Sequence, residues 1–110
     1  MSVTVGARST RDEASHADRL TVAIQRNGLD LLRYFQRRSS EPADAADLYG
    51  ELLLLAVRKE AGLPLDDTAC RMFLFGMAKN VLRNARRSAF RSHLAVEHLS
   101  DLLQLERHDG

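Results

Sequence analysis

The sequence contains little of what builds disulfide-bonded, β-rich or membrane-spanning proteins. It has one cysteine, two prolines, six glycines and no tryptophan in 110 residues. A single cysteine cannot form an internal disulfide or a multi-thiolate zinc site, so we expect a cytoplasmic protein. Few glycines and prolines disfavour a fold of many short strands joined by tight turns. The longest apolar run covers residues 52–57, far short of the roughly 20 residues that a membrane helix needs.

What the chain does contain is typical of one helical domain. Hydrophobic residues make up 45% and charged residues 28% of the sequence, which is enough apolar material for a core. We therefore predict an all-α protein, a compact bundle of three to five helices. The expected division is a flexible N-terminus over residues 1–15, a helical domain over residues 16–91, and a linker or short amphipathic helix over residues 92–110.

Local signals place the helices. Apolar residues recur at helical spacing over residues 16–38, although Asn27 and Gly28 either end or weaken that helix. A second helix is predicted to start near Pro42, with a serine cap, and to run to about residue 60. Residues 61–64 then stop it. One of residues 66–68 is expected to cap a third helix that ends near Phe90.

Charge is strongly segregated along the chain. Residues 19–38 carry a net charge of +4 and residues 41–67 a net charge of −5. Residues 71–91 hold six cations and no acid, and residues 92–110 return to a net charge of −3. This pattern predicts two kinds of partner, one that binds an acidic protein surface and one that is itself polyanionic. Nucleic acid is the expected polyanion.

The second predicted helix has an acidic stripe. Asp44, Asp47 and Glu51 stand at helical spacing, so their carboxylates share one face. Leu48 belongs to the neighbouring apolar stripe. Two interpretations are open at this point, a solvated flank of an ordinary helix or a docking surface for another protein.

The third predicted helix has a basic stripe. At about 100° per residue, Lys79, Arg83, Arg86 and Arg87 lie within roughly a quarter-turn of one another. Such a stripe either improves solubility or binds phosphates, and six unopposed cations favour the second interpretation.

Amide and aromatic side chains accompany these cations. Asn80 and Asn84 border the basic stripe, and their amides can both donate to and accept from base edges. Phe73 and Phe75 open the same helix, where they either stack on unpaired bases or belong to the core.

Several phrases of the sequence resemble a known family. They are LLRY at residues 31–34, DAADLYGE at residues 44–51, FLFGMAKN at residues 73–80, and the pair Arg86-Arg87. In this order and spacing, over roughly residues 20–87, they resemble region 2 of extracytoplasmic-function sigma factors of the sigma-70 family. The chain departs from the family pattern at three positions, with Gly50 in place of glutamine, Phe73 in place of tryptophan, and Gly76 in place of a polar or basic residue. Nothing after Arg91 resembles the family's second DNA-binding domain.

The resemblance implies a monomeric domain that docks on the β′ clamp helices of RNA polymerase core. It implies recognition and melting of the −10 promoter element, with bases of the non-template strand captured as the duplex opens. Asn80 would read a flipped base that the loop at residues 63–68 helps to enclose. The polymerase contacts would come from Asp44, Asp47, Leu48 and Glu51, and the DNA contacts from Lys79, Asn80, Arg83, Asn84, Arg86 and Arg87.

Other functions follow from the same residues. The alternative is a sigma-like helical interaction module that binds polymerase or an anti-sigma factor without reading promoters. An enzyme is not expected, because the four histidines show no recognised metal-ligand spacing and Cys70 has no histidine near it in the sequence. We accordingly expect no cofactor and no metal. Salt-sensitive binding to single-stranded −10 DNA would separate the two binding hypotheses.

Overall fold

The computed structural model describes the backbone of residues 2–109 and the side chains of residues 15–105. Three α-helices span Ser2–Arg38 (α1), Pro42–Arg58 (α2) and Asp67–Asp109 (α3), and a 3₁₀ turn covers Glu60–Gly62. Over the described residues all regular structure is helical, which confirms the all-α prediction.

The first helix is longer than the sequence predicted. It begins at Ser2, where a flexible segment was expected over residues 1–15, and it passes through Asn27 and Gly28 without a break. Asn27 is buried, but its polar atoms are satisfied. Its Nδ2 donates to the Ala23 carbonyl oxygen at 2.9 Å, and its Oδ1 accepts from Arg71 at 3.1 Å. These bonds offset the low helix propensity of the Asn-Gly pair.

The starts of α2 and α3 have different capping chemistry. Glu41 occupies the N-cap of α2 in an extended conformation without a side-chain hydrogen bond, so the predicted serine cap is not used. Pro42 follows in the first turn, as predicted. At α3 the cap comes from Asp66, whose Oδ2 accepts from the backbone N–H of Ala69 at 2.9 Å.

The third helix does not end near Phe90. It continues through residues 92–109 as one uninterrupted helix, because that stretch contains no glycine or proline before Gly110. We call residues 92–105 the arm. The radius of gyration is 20.9 Å, whereas a compact chain of this size has a radius of gyration of roughly 13 Å. The longest dimension of the molecule is 78 Å. The molecule is thus a three-helix bundle whose outer helices run beyond it.

The core lies where the three helices meet. The most deeply buried large side chains are Leu31, Phe35, Leu52 and Leu74, drawn from all three helices. The short connection at residues 39–41 turns α2 back antiparallel to α1. In contrast, α1 and α3 run in the same direction, since Arg71 bonds to Asp30 and Tyr34 packs on Phe75 further along both helices. The end of α1, near Tyr34, therefore lies beside the start of the basic stripe of α3.

Candidate nucleic-acid interface and partner-binding groove

The basic stripe of α3 lines a groove. Four cations meet Tyr34 of α1 around a space of about 450 Å³, and we call this space the basic groove. Within residues 15–105, none of the four cations forms an ion pair, and all four are exposed. Unpaired like charges that line one groove favour binding of a polyanion. The lining residues are Tyr34, Lys79, Leu82, Arg83, Arg86, Arg87 and Phe90.

Tyr34 is held in place by a stack of cations and aromatic rings. The guanidinium carbon of Arg38 lies 3.8 Å above the centroid of the Tyr34 ring. Phe75 meets Tyr34 edge-to-face at 5.8 Å, and Arg71 lies 4.8 Å over Phe75. Phe35 also meets Tyr34 edge-to-face, with the ring centroids 5.6 Å apart. Cation–π and edge-to-face contacts of this kind each contribute roughly 0.5–1.5 kcal/mol.

Sequence reasoning missed Tyr34 and Arg38 as members of this site. They belong to α1, and no spacing rule relates their positions to those of residues in α3. The sequence signals for them were the net positive charge of residues 19–38 and, for Tyr34, its place in the LLRY phrase at residues 31–34. Their contribution became visible only from the packing of α1 against α3.

The two predicted amide readers lie beside the groove and not in it. Asn80 and Asn84 are exposed on α3, and neither lines the basic groove. The hydrogen bonds among residues 15–105 include none from either side chain. Both amides are therefore available to a ligand that follows the helix.

The two phenylalanines proposed for base stacking are partly buried. Phe73 and Phe75 both pack against the hydrophobic core. Residues two positions apart on a helix are separated by about 200° around its axis, so the rings of Phe73 and Phe75 lie on opposite edges of α3. Phe75 already has Arg71 over its ring. Their packing thus matches the core interpretation more closely than a shared stacking platform.

The four predicted polymerase-binding residues share a second groove. Asp44, Asp47, Leu48 and Glu51 border a space of about 460 Å³ between α2 and α3, which we call the acidic groove. The three carboxylate residues are exposed. Leu48 is only 9% exposed and belongs to the core, so it forms the floor of the groove and presents little surface of its own. The opposite wall consists of Leu82, Ala85, Arg86 and Ala89.

The acidic and basic grooves are neighbours. Arg86 lines both. Arg38, which lines the acidic groove, stacks on Tyr34 of the basic groove. The acidic and basic surfaces, which come from different segments of the sequence, therefore meet at these two arginines. A ligand in one groove contacts residues that border the other.

The loop at residues 63–68 lies at the start of α3, whereas the basic groove is formed by the middle of that helix. Arg19 fixes it by donating from Nη2 to the carbonyl oxygens of Leu63 at 2.7 Å and Pro64 at 2.8 Å. Arg26 pairs with Asp67 at 2.9 Å. Asn80 is 13 residues beyond Asp67, which corresponds to about 20 Å along a helix. The structure therefore does not bring the loop and Asn80 together in one groove.

The Cys70 thiol belongs to α3 and lines neither groove. It is buried near the start of α3, and burial raises the pKa of its thiol, with Arg19 and Arg26 opposing the effect and Asp67 adding to it. Across the described residues no three His, Cys, Asp or Glu side chains converge on a metal-sized space. None of the helices, over that same part of the chain, combines the length and apolarity of a membrane span.

Comparison of the chain with models of protein families, with curated protein sequences and with solved structures returned no match.

Proposed function

We propose that the chain is a sigma-type domain that docks on RNA polymerase core and recognises and melts the −10 promoter element. The observation that carries the proposal is the pairing of two adjacent surfaces of opposite charge. The basic groove has four cations without acidic partners among residues 15–105. The acidic groove has three exposed carboxylates. The resemblance at residues 44–51 and 73–80 supports the same assignment.

In this function the basic groove holds the non-template strand by its phosphates. Lys79 and Arg83 supply affinity that does not depend on sequence and that falls as salt rises. Asn80, at the border of the groove, reads a base that has left the duplex. Unstacking bases costs a few kcal/mol, which contacts to the captured strand offset. The process makes and breaks no covalent bond, so the proposal requires no catalytic residue.

The acidic groove is the proposed polymerase contact. Asp47 and Glu51 lie one turn apart on the outer face of α2, with Asp44 one turn before them. Carboxylates on such an edge attract a basic helical partner, while the apolar wall and the Leu48 floor provide area to bury. The β′ clamp helices are the partner that the resemblance implies.

Polymerase binding tests this assignment directly. The Glu51→Lys variant should bind RNA polymerase core at least tenfold more weakly than the wild type, because it places a cation in the acidic groove. Asp101→Lys, an equal charge change at an exposed position on the arm, is the matched control and should bind like the wild type. Equal binding by all three proteins at two salt concentrations would refute the docking surface.

DNA binding tests the other surface. Asn80→Ala should change base preference within single-stranded −10 DNA and leave nonspecific affinity nearly unchanged. Arg83→Ala should weaken binding to every sequence alike and reduce the salt slope by about 0.7. Base preference that is unaffected by Asn80→Ala would contradict the assigned reading role.

A helical interaction module without promoter reading is the second candidate. It is favoured by the arm, which leaves a run of apolar side chains about half exposed, namely Leu94, Val96, Leu99, Leu102, Leu103 and Leu105. Exposed apolar residues in such a series mark protein-binding surfaces. Polymerase or anti-sigma binding without salt-sensitive binding to single-stranded DNA would favour this candidate.

A further inference from the structure

Phe90 differs from the other aromatic side chains of this protein in its exposure to solvent. The sequence has four phenylalanines and two tyrosines, and five of these rings are buried or packed against the core. Phe90 alone is exposed, with 63% of its surface open to solvent. Burial of a phenylalanine ring normally stabilises a fold, because it removes a large apolar surface from water. The position of Phe90 is therefore not explained by the fold.

Phe90 lies among the unpaired cations. It lines the basic groove together with Tyr34 and the four basic residues of α3. At about 100° per residue it falls within roughly 40° of Lys79, Arg83 and Arg86 around the helix. Leu99, in contrast, is about 180° away and continues the core-facing side of α3. Phe90 thus belongs to the charged face of α3 and not to its core-facing apolar stripe.

We propose that Phe90 is a stacking platform for a base of single-stranded nucleic acid held in the basic groove. The inference rests on the proposed function and adds a contact that the resemblance does not assign. An exposed ring beside phosphate-binding cations is the combination that single-strand binding sites use, because every base has a π-face. Phe73 and Phe75 are less suited to this role, since both rings pack against the core.

The dimensions of the groove agree with such a ligand. Lys79 and Phe90 are 11 residues apart, or about 16 Å along α3. Stacked nucleotides rise about 3.4 Å each, so the groove accommodates a strand of up to about five nucleotides. The bound strand places phosphates along Lys79, Arg83 and Arg86, with one base on Phe90. Tyr34, held by Arg38 at 3.8 Å, forms the opposite wall.

The absence of tryptophan from the sequence allows a direct test. Phe90→Trp places a single fluorescent reporter at the proposed platform. Leu54→Trp is the matched control, because Leu54 is also 63% exposed but lies on α2 outside both grooves. Each full-length variant is titrated with a mixed-sequence DNA single strand of about 12 nucleotides, within the range of known site sizes. We expect saturable quenching at position 90 and none at position 54.

Affinity measurements separate stacking from charge. Phe90→Ala should weaken single-strand binding between about fivefold and 100-fold and leave the salt slope unchanged. Phe90→Tyr should retain affinity, whereas Phe90→Leu, which keeps an apolar side chain without a ring, should behave like alanine. Arg83→Ala should instead reduce the slope by about 0.7.

Two failures have different meanings. Salt-dependent binding that weakens in Arg83→Ala, with no quenching at position 90 and no effect of Phe90→Ala, would overturn the stacking role and leave the proposed function standing. Absence of any salt-dependent single-strand binding by the folded wild type would overturn both. Loss of protein-partner binding in Phe90→Ala, with DNA binding intact, would assign Phe90 to a protein interface and likewise refute this inference.

Discussion

Gly28 of α1 lies against the side chain of Tyr49 of α2, and replacing it tests how these helices pack. A Cβ atom built at Gly28 would be 2.7 Å from Oη of Tyr49, well inside normal contact distance. Its next neighbours are ordinary, with Cγ2 of Ile24 at 3.6 Å and Cζ of Tyr49 at 3.9 Å. One atom, the tyrosine hydroxyl oxygen, therefore decides the cost of adding a methyl group here.

The expected magnitude follows from two opposing effects. Glycine to alanine inside a helix stabilises by about 1 kcal/mol. Displacing a packed side chain costs about 1–3 kcal/mol, and Tyr49 packs against the core. Gly28→Ala should therefore change the unfolding free energy by between about zero and a loss of 2 kcal/mol. Gly76→Ala, at a helical position with open space around it, should gain close to 1 kcal/mol.

A double-mutant cycle isolates the contact. Tyr49→Phe removes the one close atom, and within residues 15–105 the Tyr49 hydroxyl makes no hydrogen bond that the change would break. In that background Gly28→Ala should become stabilising, which gives a coupling energy of about 1–3 kcal/mol. Urea unfolding followed by far-ultraviolet circular dichroism measures all four proteins, and equal m-values would show that the unfolded states are comparable.

The refuting result is a Gly28→Ala variant as stable as Gly76→Ala and independent of residue 49. That outcome would mean that α1 and α2 do not approach each other at Gly28 as the structure shows. The basic groove depends on the same helix, because Tyr34 is positioned by α1. Correct packing of α1 is therefore a condition for the proposed site as well as for the core.

Three further predictions concern the loop that precedes α3 and the first turn of that helix. Asp66→Ala should cost about 1 kcal/mol of unfolding free energy, since it removes the cap that accepts from Ala69 N–H at 2.9 Å. Asp67→Ala, which breaks only an exposed ion pair, should cost less than about 0.5 kcal/mol. Urea unfolding measures both variants, and a larger loss of unfolding free energy in Asp67→Ala than in Asp66→Ala would contradict the assigned cap. Arg19→Met should lose about 1–3 kcal/mol in the same assay, because two carbonyl bonds of the loop are lost. A change near zero would argue against a role of Arg19 in holding the loop. Burial raises the folded-state pKa of Cys70 above 9.0, so the unfolded thiol ionises first. Stability should therefore fall as pH rises from about 9 through the folded-state pKa, and more steeply than in Cys70→Ala. Parallel curves for the two proteins would contradict the perturbed thiol.

Much of the fold was readable from local patterns. The helical class followed from the scarcity of glycine and proline and from apolar spacing. The boundaries near Pro42 and Asp66 followed from turn chemistry, although Glu41 and not a serine occupies the cap of α2. The start of α1 and the end of α3 were not predicted. Whether α1 continues through Asn27 was not decided by local patterns, because weak breakers are overridden when their polar atoms find partners.

The candidate site likewise has one part that follows from spacing along the chain and one part that follows from packing between helices. The shared face of Lys79, Arg83, Arg86 and Arg87 on α3 follows from their spacing, because the helical repeat sets the angle of each residue around the helix axis. The packing of the helices against one another sets what lies opposite that face, namely Tyr34 of α1 with Arg38 over its ring. It also decided that Leu48 is a groove floor and that Phe90 is the exposed ring. The physical reason is that neighbours on different helices are chosen by side-chain packing, which no spacing along the chain encodes.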